Sequence, residues 1–133
     1  MTNLMVDDVQ VRIESFGYLH GDPPTAHLII DLRQHFKDPH VSADLRYMTA
    51  YDEPVVRAVL DTPGIGDLIE ATAIAVSAFL SGPSAGPVVV ADGCAGGRHR
   101  APTFAMFLAY RLRRCGLTVA LTHRDLDKPV VER

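Results

Sequence analysis

The sequence has no stretch long enough to cross a bilayer: apolar runs such as Leu28–Ile30 and Pro87–Ala91 fall far short of the roughly 20 residues a spanning helix needs. No membrane partner is expected. The leading residues Met1–Asp8 have neither a basic start nor an apolar centre, so they do not read as a secretory signal, and the expected location is cytoplasmic. Cysteine is scarce. Cys94 and Cys115 form no Cys-x-x-Cys pair and have no histidine at zinc-finger spacing, which argues against a disulfide framework and a structural zinc. His35 and His40 find no third ligand nearby, so neither a metal nor a cofactor is expected. Gly-x-x-x-x-Gly-Lys-Ser/Thr occurs nowhere, which argues against ATP hydrolysis.

What is present suits one soluble domain. At 133 residues, 47% hydrophobic and 22% charged, the chain can bury about two-thirds of its unfolded surface around one core. The net charge of −3 is unevenly spread. Residues 1–97 carry 5 basic and 13 acidic side chains, net −8, whereas residues 98–133 carry 8 and 3, net +5. That asymmetry suggests an anion handled by the C-terminal third, either a phosphorylated metabolite or a nucleic acid; the alternative for the arginines is a solvated helix face.

Val9–Phe16 alternates apolar and polar residues as a half-buried strand does. His27–Arg33 is a continuous apolar run closing in Asp31-Leu32-Arg33, suited to a strand buried on both faces. The Gly17–Pro24 connection between them allows either a parallel or an antiparallel pair. Residues 34–52 show no period and read as an ordered loop with a helical turn. Asp52-Glu53-Pro54 opens a short helix to about Leu60 with an acidic cap, and a second helix carries Ile65, Leu68, Ile69, Ala73, Val76 and Leu80 at helical spacing. Val88–Ala91 is a short apolar strand. A helix marked by Pro102 buries Phe104, Phe107, Leu108 and Leu112, and Leu117–Leu121 is the last strand. Strand, helix, strand in this order predicts an α/β fold: three layers, a mostly parallel sheet with flanking helices, and functional groups at the strands' C-terminal ends.

The chemistry concentrates in Gly93-Cys94-Ala95-Gly96-Gly97-Arg98-His99-Arg100, between an apolar strand and a helix start. Backbone N–H groups there lack partners and the helix dipole is positive, so an anion fits. The glycines let the backbone fold into a concave nest, and Arg98 and Arg100 can add forked hydrogen bonds to phosphate oxygens. A tight structural turn could use the same glycines. Cys94 and Arg100 also match Cys-x5-Arg, in which a thiolate attacks phosphorus. Against catalysis, Ala101 and Pro102 follow the arginine without a hydroxyl, and none of the candidate general acids, Asp31, Asp92 and His40, is fixed on a leaving group. Otherwise Cys94 is a small, half-buried residue lining the turn.

The ordered set Ser15-Phe16-Gly17, Asp31-Leu32-Arg33, Asp38-Pro39-His40, Leu45-Arg46 with Thr49, Gly93–Arg100 and His123-Arg124-Asp125-Leu126-Asp127-Lys128 resembles the C-terminal domain of the RNase adapter RapZ family. The resemblance spans about residues 10–128, and a single domain over 1–133 is expected. It implies a fold similar to a subdomain of phosphofructokinase and a non-catalytic module that senses glucosamine-6-phosphate and binds small regulatory RNAs, with a homo-oligomer among the expected assemblies. The sugar phosphate would sit on Cys94, Ala95, Gly96, Gly97, Arg98, His99 and Arg100, with Asp31, Arg33, His40, Arg46 and His123 lining the rest. Ala95 stands where the family has threonine and Ala101 where it has serine. The family's N-terminal kinase-like domain with its Walker motif is not in the sequence, so a standalone domain is expected.

Overall fold

The computed structural model describes residues 8–84 and 86–133, so most of the segment read above for a signal lies outside the described residues. Four strands form, β1 (Val11–Gly17), β2 (Leu28–Asp31), β3 (Val88–Cys94) and β4 (Val119–His123), with three helices, α1 (Glu53–Leu60), α2 (Ile65–Leu80) and α3 (Arg100–Arg114). Short 3-10 turns occupy Tyr18–His20 and Pro39–Val41. The strands make one sheet in the order β2-β3-β1-β4 with every neighbouring pair parallel; β1 and β2 run parallel but are separated by β3, so the Gly17–Pro24 connection closes neither kind of pair. A parallel sheet flanked by helices, the three-layer α/β architecture expected, is what the chain adopts.

The core follows from the two periodicities. Val11 and Ile13 of β1 and Val88 and Val90 of β3 share one face and meet Phe104, Ala105, Leu108 and Leu112 of α3. The apolar stripe of α2, Ile65, Ile69, Ala73 and Val76, joins the same cluster. Each fully buried large side chain of this kind, Phe104 and Leu108 included, stabilises the fold by about 1.5–3 kcal/mol relative to exposure.

Several elements differ from expectation: β1 and β4 are shifted toward the C-terminus from the expected Val9–Phe16 and Leu117–Leu121. β2 is an edge strand, with Ile29 47% exposed and only alternate residues partly covered, so the strand expected to be buried on both faces has one open face. A run of three apolar residues cannot distinguish an edge from a centre. β3 runs past Ala91 to Cys94, because Asp92, Gly93 and Cys94 pair in register with Ser15, Phe16 and Gly17. α3 begins at Arg100, two residues before Pro102, whose missing N–H falls among the first-turn groups that have no helical partner anyway. Asp52 precedes α1 without capping it; its carboxylate accepts from the Thr49 N–H at 2.9 Å and closes the preceding turn. Among the described residues no single helix is long and apolar enough to cross a membrane.

Candidate functional site

Parallel strands present all their C-terminal ends at one edge of the sheet, where open α/β folds bind ligands. Here those ends are Gly17, Asp31, Cys94 and His123, three of them residues singled out from the sequence. The loop Ala95–His99 leaves β3 at this edge and delivers the chain into α3. Two of its neighbourhood's glycines are required by packing: a Cβ on Gly93 would lie 2.4 Å from the Phe16 ring, and one on Gly97, whose φ is +77°, 2.8 Å from the Gly17 nitrogen. The loop is thereby clamped against the end of β1.

Cys94 is 2% exposed, more deeply buried than expected, and its Sγ accepts from the N–H groups of Gly97 at 3.3 Å and Ala101 at 3.4 Å. The sulfur thus sits beneath the loop, approached by two backbone N–H groups. Among the described residues, the N–H groups of Gly96, Arg98 and His99 donate to no protein acceptor. They lie at the positive end of a 15-residue helix whose first turn holds no acidic residue.

The arginines are placed differently from the forks the sequence suggested. Arg100 is 2% exposed; its Nη1 donates to the carbonyls of Leu32 at 2.9 Å and Arg33 at 3.1 Å, and its Nη2 lies 3.3 Å from Asp38. Its Nε is buried and has no partner. Arg98 donates to the Lys128 carbonyl at 2.8 Å and the Tyr47 carbonyl at 2.7 Å, while its Nε is likewise buried and unpaired. Both side chains tie down the loop around residues 32–52, and that function was invisible in their spacing. His99 Nε2 lies 2.9 Å from the Met48 carbonyl, and burial pushes its pKa below the usual imidazole range.

The remaining sequence-selected residues gather on two sides. Asp31 and Arg33 form a bidentate pair, the hydrogen bonds holding the Asp31 carboxyl below its usual range, and the Arg33 guanidinium lies 3.6 Å from the Tyr18 ring centroid. His40 is buried in the turn capped by Asp38, and Arg46 Nε donates to its carbonyl at 2.8 Å. Burial, reinforced by the charge of Arg133, lowers the His40 pKa. On the far side His123 Nδ1 is 2.6 Å from Ser15 Oγ, and burial lowers its pKa as well. Asp92, in register with Ser15, is fully buried with neither carboxylate oxygen paired, and burial raises its pKa well above the usual range. Of the three candidate general acids, Asp31 is exposed but paired with Arg33, and Asp92 and His40 are buried.

Sequence reasoning missed Asp38 and Arg133 as site residues. Asp38 had one local signal, its position before Pro39, which suits the cap of a short helical turn. Arg133 had none beyond the basic sum of its region. Of the basic residues in 98–133, Arg111 pairs with Glu70, Arg113 donates to the Val119 carbonyl, Arg114 lies over Tyr110, and Arg124 and Lys128 pair with Asp125. The C-terminal basic excess is thus distributed over intramolecular partners.

With this geometry in view, the comparison with known proteins is specific. The sequence pattern of the RapZ C-terminal domain matches residues 9–127, and the chain belongs to the RapZ C-terminal domain family. It is 37% identical over 123 residues to a nucleotide-binding protein of Bifidobacterium adolescentis, covering 90% of this chain and 39% of that one. Nucleotide-binding proteins of Thermobifida fusca and Leifsonia xyli are 35% and 38% identical, covering 90% and 91% of this chain and 42% of each relative. The chain spans about two-fifths of the length of these relatives.

Proposed function

We propose that the chain is a binding module for a phosphorylated metabolite, an amino-sugar phosphate such as glucosamine-6-phosphate, held on the Cys94–Arg100 segment, and that it acts as a sensor in a regulatory adapter. The observation that carries this reading is the set of unpaired donors at the start of α3: the Gly96, Arg98 and His99 amides beside the buried, unpaired Nε of Arg100. Buried donors without acceptors are costly, and a phosphate supplies several acceptor oxygens and the charge the helix end favours. In this reading Asp31, Arg33, His40, Arg46 and His123 would meet the sugar hydroxyls and amine. An adapter of this kind would relay occupancy to a partner such as a small regulatory RNA, and that contact should weaken steeply as salt is raised.

The second reading, a cysteine phosphatase, draws support from the Gly97 and Ala101 N–H groups directed at the Cys94 sulfur. Calorimetry with glucosamine-6-phosphate, with released phosphate assayed in the same cell, separates the two. Saturable heat without released phosphate is expected. Sustained heat with released phosphate, abolished by Cys94→Ser, would establish the phosphatase instead, and the absence of heat would end the sensor reading for this ligand.

A further inference from the structure

Gly96 stands apart from the other glycines at this edge. Where Gly93 and Gly97 are pressed against β1, a Cβ on Gly96 would meet nothing nearer than Nη1 of Arg133, 3.5 Å away. The side of the loop turned away from the sheet is therefore covered by a guanidinium that arrives from more than thirty residues further along the chain.

The segment after β4 reaches that position through a series of anchors. Asp125 accepts from the Gly17 N–H at 2.7 Å and pairs with Lys128 at 2.6 Å. The Lys128 carbonyl takes Arg98 Nη1 at 2.8 Å, the Tyr47 hydroxyl donates to Glu132 at 3.3 Å, and Arg133 Nη2 meets Asp38 at 2.6 Å. Asp38 is at the same time 3.3 Å from Arg100. One carboxylate thus faces two guanidiniums, while the charges of Arg133, Arg46 and Glu132 also act on His40 nearby. Arg100 is immobilised by three carbonyl contacts, whereas among the described residues Arg133 is held by this one ion pair.

Resting on the anion-site reading, we propose that Arg133 is a ligand-binding residue of the site and that residues 129–133 are a strap: Arg133 pairs with Asp38 when the loop is empty and donates its fork to the phosphate when the loop is filled. A guanidinium is suited to that exchange, because it keeps its charge at any physiological pH and presents parallel donors to carboxylate and phosphate alike. The strap also gives the module a readout, since occupancy of the loop changes what holds the chain beyond β4.

The test is the affinity of Arg133→Gln and Arg133→Lys for glucosamine-6-phosphate beside that of the unsubstituted protein, with hydrogen exchange at residues 130–133 measured with and without ligand. Loss of a charge-assisted fork should weaken Arg133→Gln by about ten- to a hundredfold, with partial recovery in Arg133→Lys, and ligand should slow exchange in the strap. Unchanged or tighter binding by Arg133→Gln would overturn the strap while leaving the anion site intact. Absence of binding by the unsubstituted protein would overturn both.

Discussion

The two ends of α3 are both basic, yet they pose opposite electrostatic problems. At the C-terminal end, Arg111, Arg113 and Arg114 lie where the helix dipole is negative and cations are stabilising. At the N-terminal end, Arg98, His99 and Arg100 lie against the positive pole with no acidic residue in the first turn. The C-terminal end borders a cleft of about 550 Å³ lined by Leu60, Ile69, Phe107, Tyr110 and Arg111, and by hollow volume alone it would be taken for the site. In the proposed reading electrostatics points the other way: unpaired amide donors beside the Arg98 and Arg100 guanidiniums at the positive end of the helix suit an anion, whereas cations at the negative end are matched by the dipole.

Substitution should break this contrast first at Arg100. Arg100→Ala removes a buried guanidinium and leaves the Leu32 and Arg33 carbonyls without that donor and Asp38 without one of its two guanidinium partners, an expected loss of about 3 kcal/mol in urea denaturation. A loss below about 1 kcal/mol would mean the N-terminal end is no more integrated than the C-terminal one. Gly97→Ala comes next. Its φ of +77° and a Cβ 2.8 Å from the Gly17 nitrogen predict about 2 kcal/mol of destabilisation, whereas Gly96→Ala, with only the flexible Arg133 near, should cost a small fraction of that. Equal effects at the two glycines would remove the distinction between a clamped side of the loop and a ligand-facing one.

Asp92 sharpens the comparison through pH. Its folded pKa lies above the unfolded value, so below about pH 4 both states are protonated, and as pH rises the unfolded chain ionises first and the stability that Asp92 contributes falls. Asp92→Asn should abolish that decline, and its thermal midpoint should overtake the parent's as pH climbs from 4 toward neutrality. Parallel pH profiles for the two proteins would show that Asp92 ionises normally in the fold.

Much of this was legible in the residues. The α2 stripe, the apolar start of β3 and the placement of Asp31 and His123 at strand ends follow from period and order, which backbone geometry imposes locally. What stayed hidden was partnership. Arg98 and Arg100 announce a cationic loop, but their partners, the carbonyls of Leu32, Tyr47 and Met48, are backbone groups with no sequence identity of their own. The exposed face of β2 depends on its being at the sheet's edge, a property of strand order and not of Leu28–Ile30. Arg133 reaches Asp38 across 95 positions, and no spacing rule spans that distance.

The smallest expected effect belongs to Arg111, which serves as the control for the whole contrast. Its guanidinium makes two short hydrogen bonds to Glu70 and raises its own pKa in doing so, yet both partners are substantially exposed. Exposed pairs are screened by solvent and fix two long side chains in return for little energy, so Arg111→Ala should leave the urea-denaturation midpoint unchanged. Its affinity for glucosamine-6-phosphate should match the unsubstituted protein within twofold. Should Arg111→Ala weaken that binding as strongly as Arg133→Gln, the ligand would belong to the cleft at the C-terminal end of α3, and the dipole argument would have chosen the wrong end of the helix.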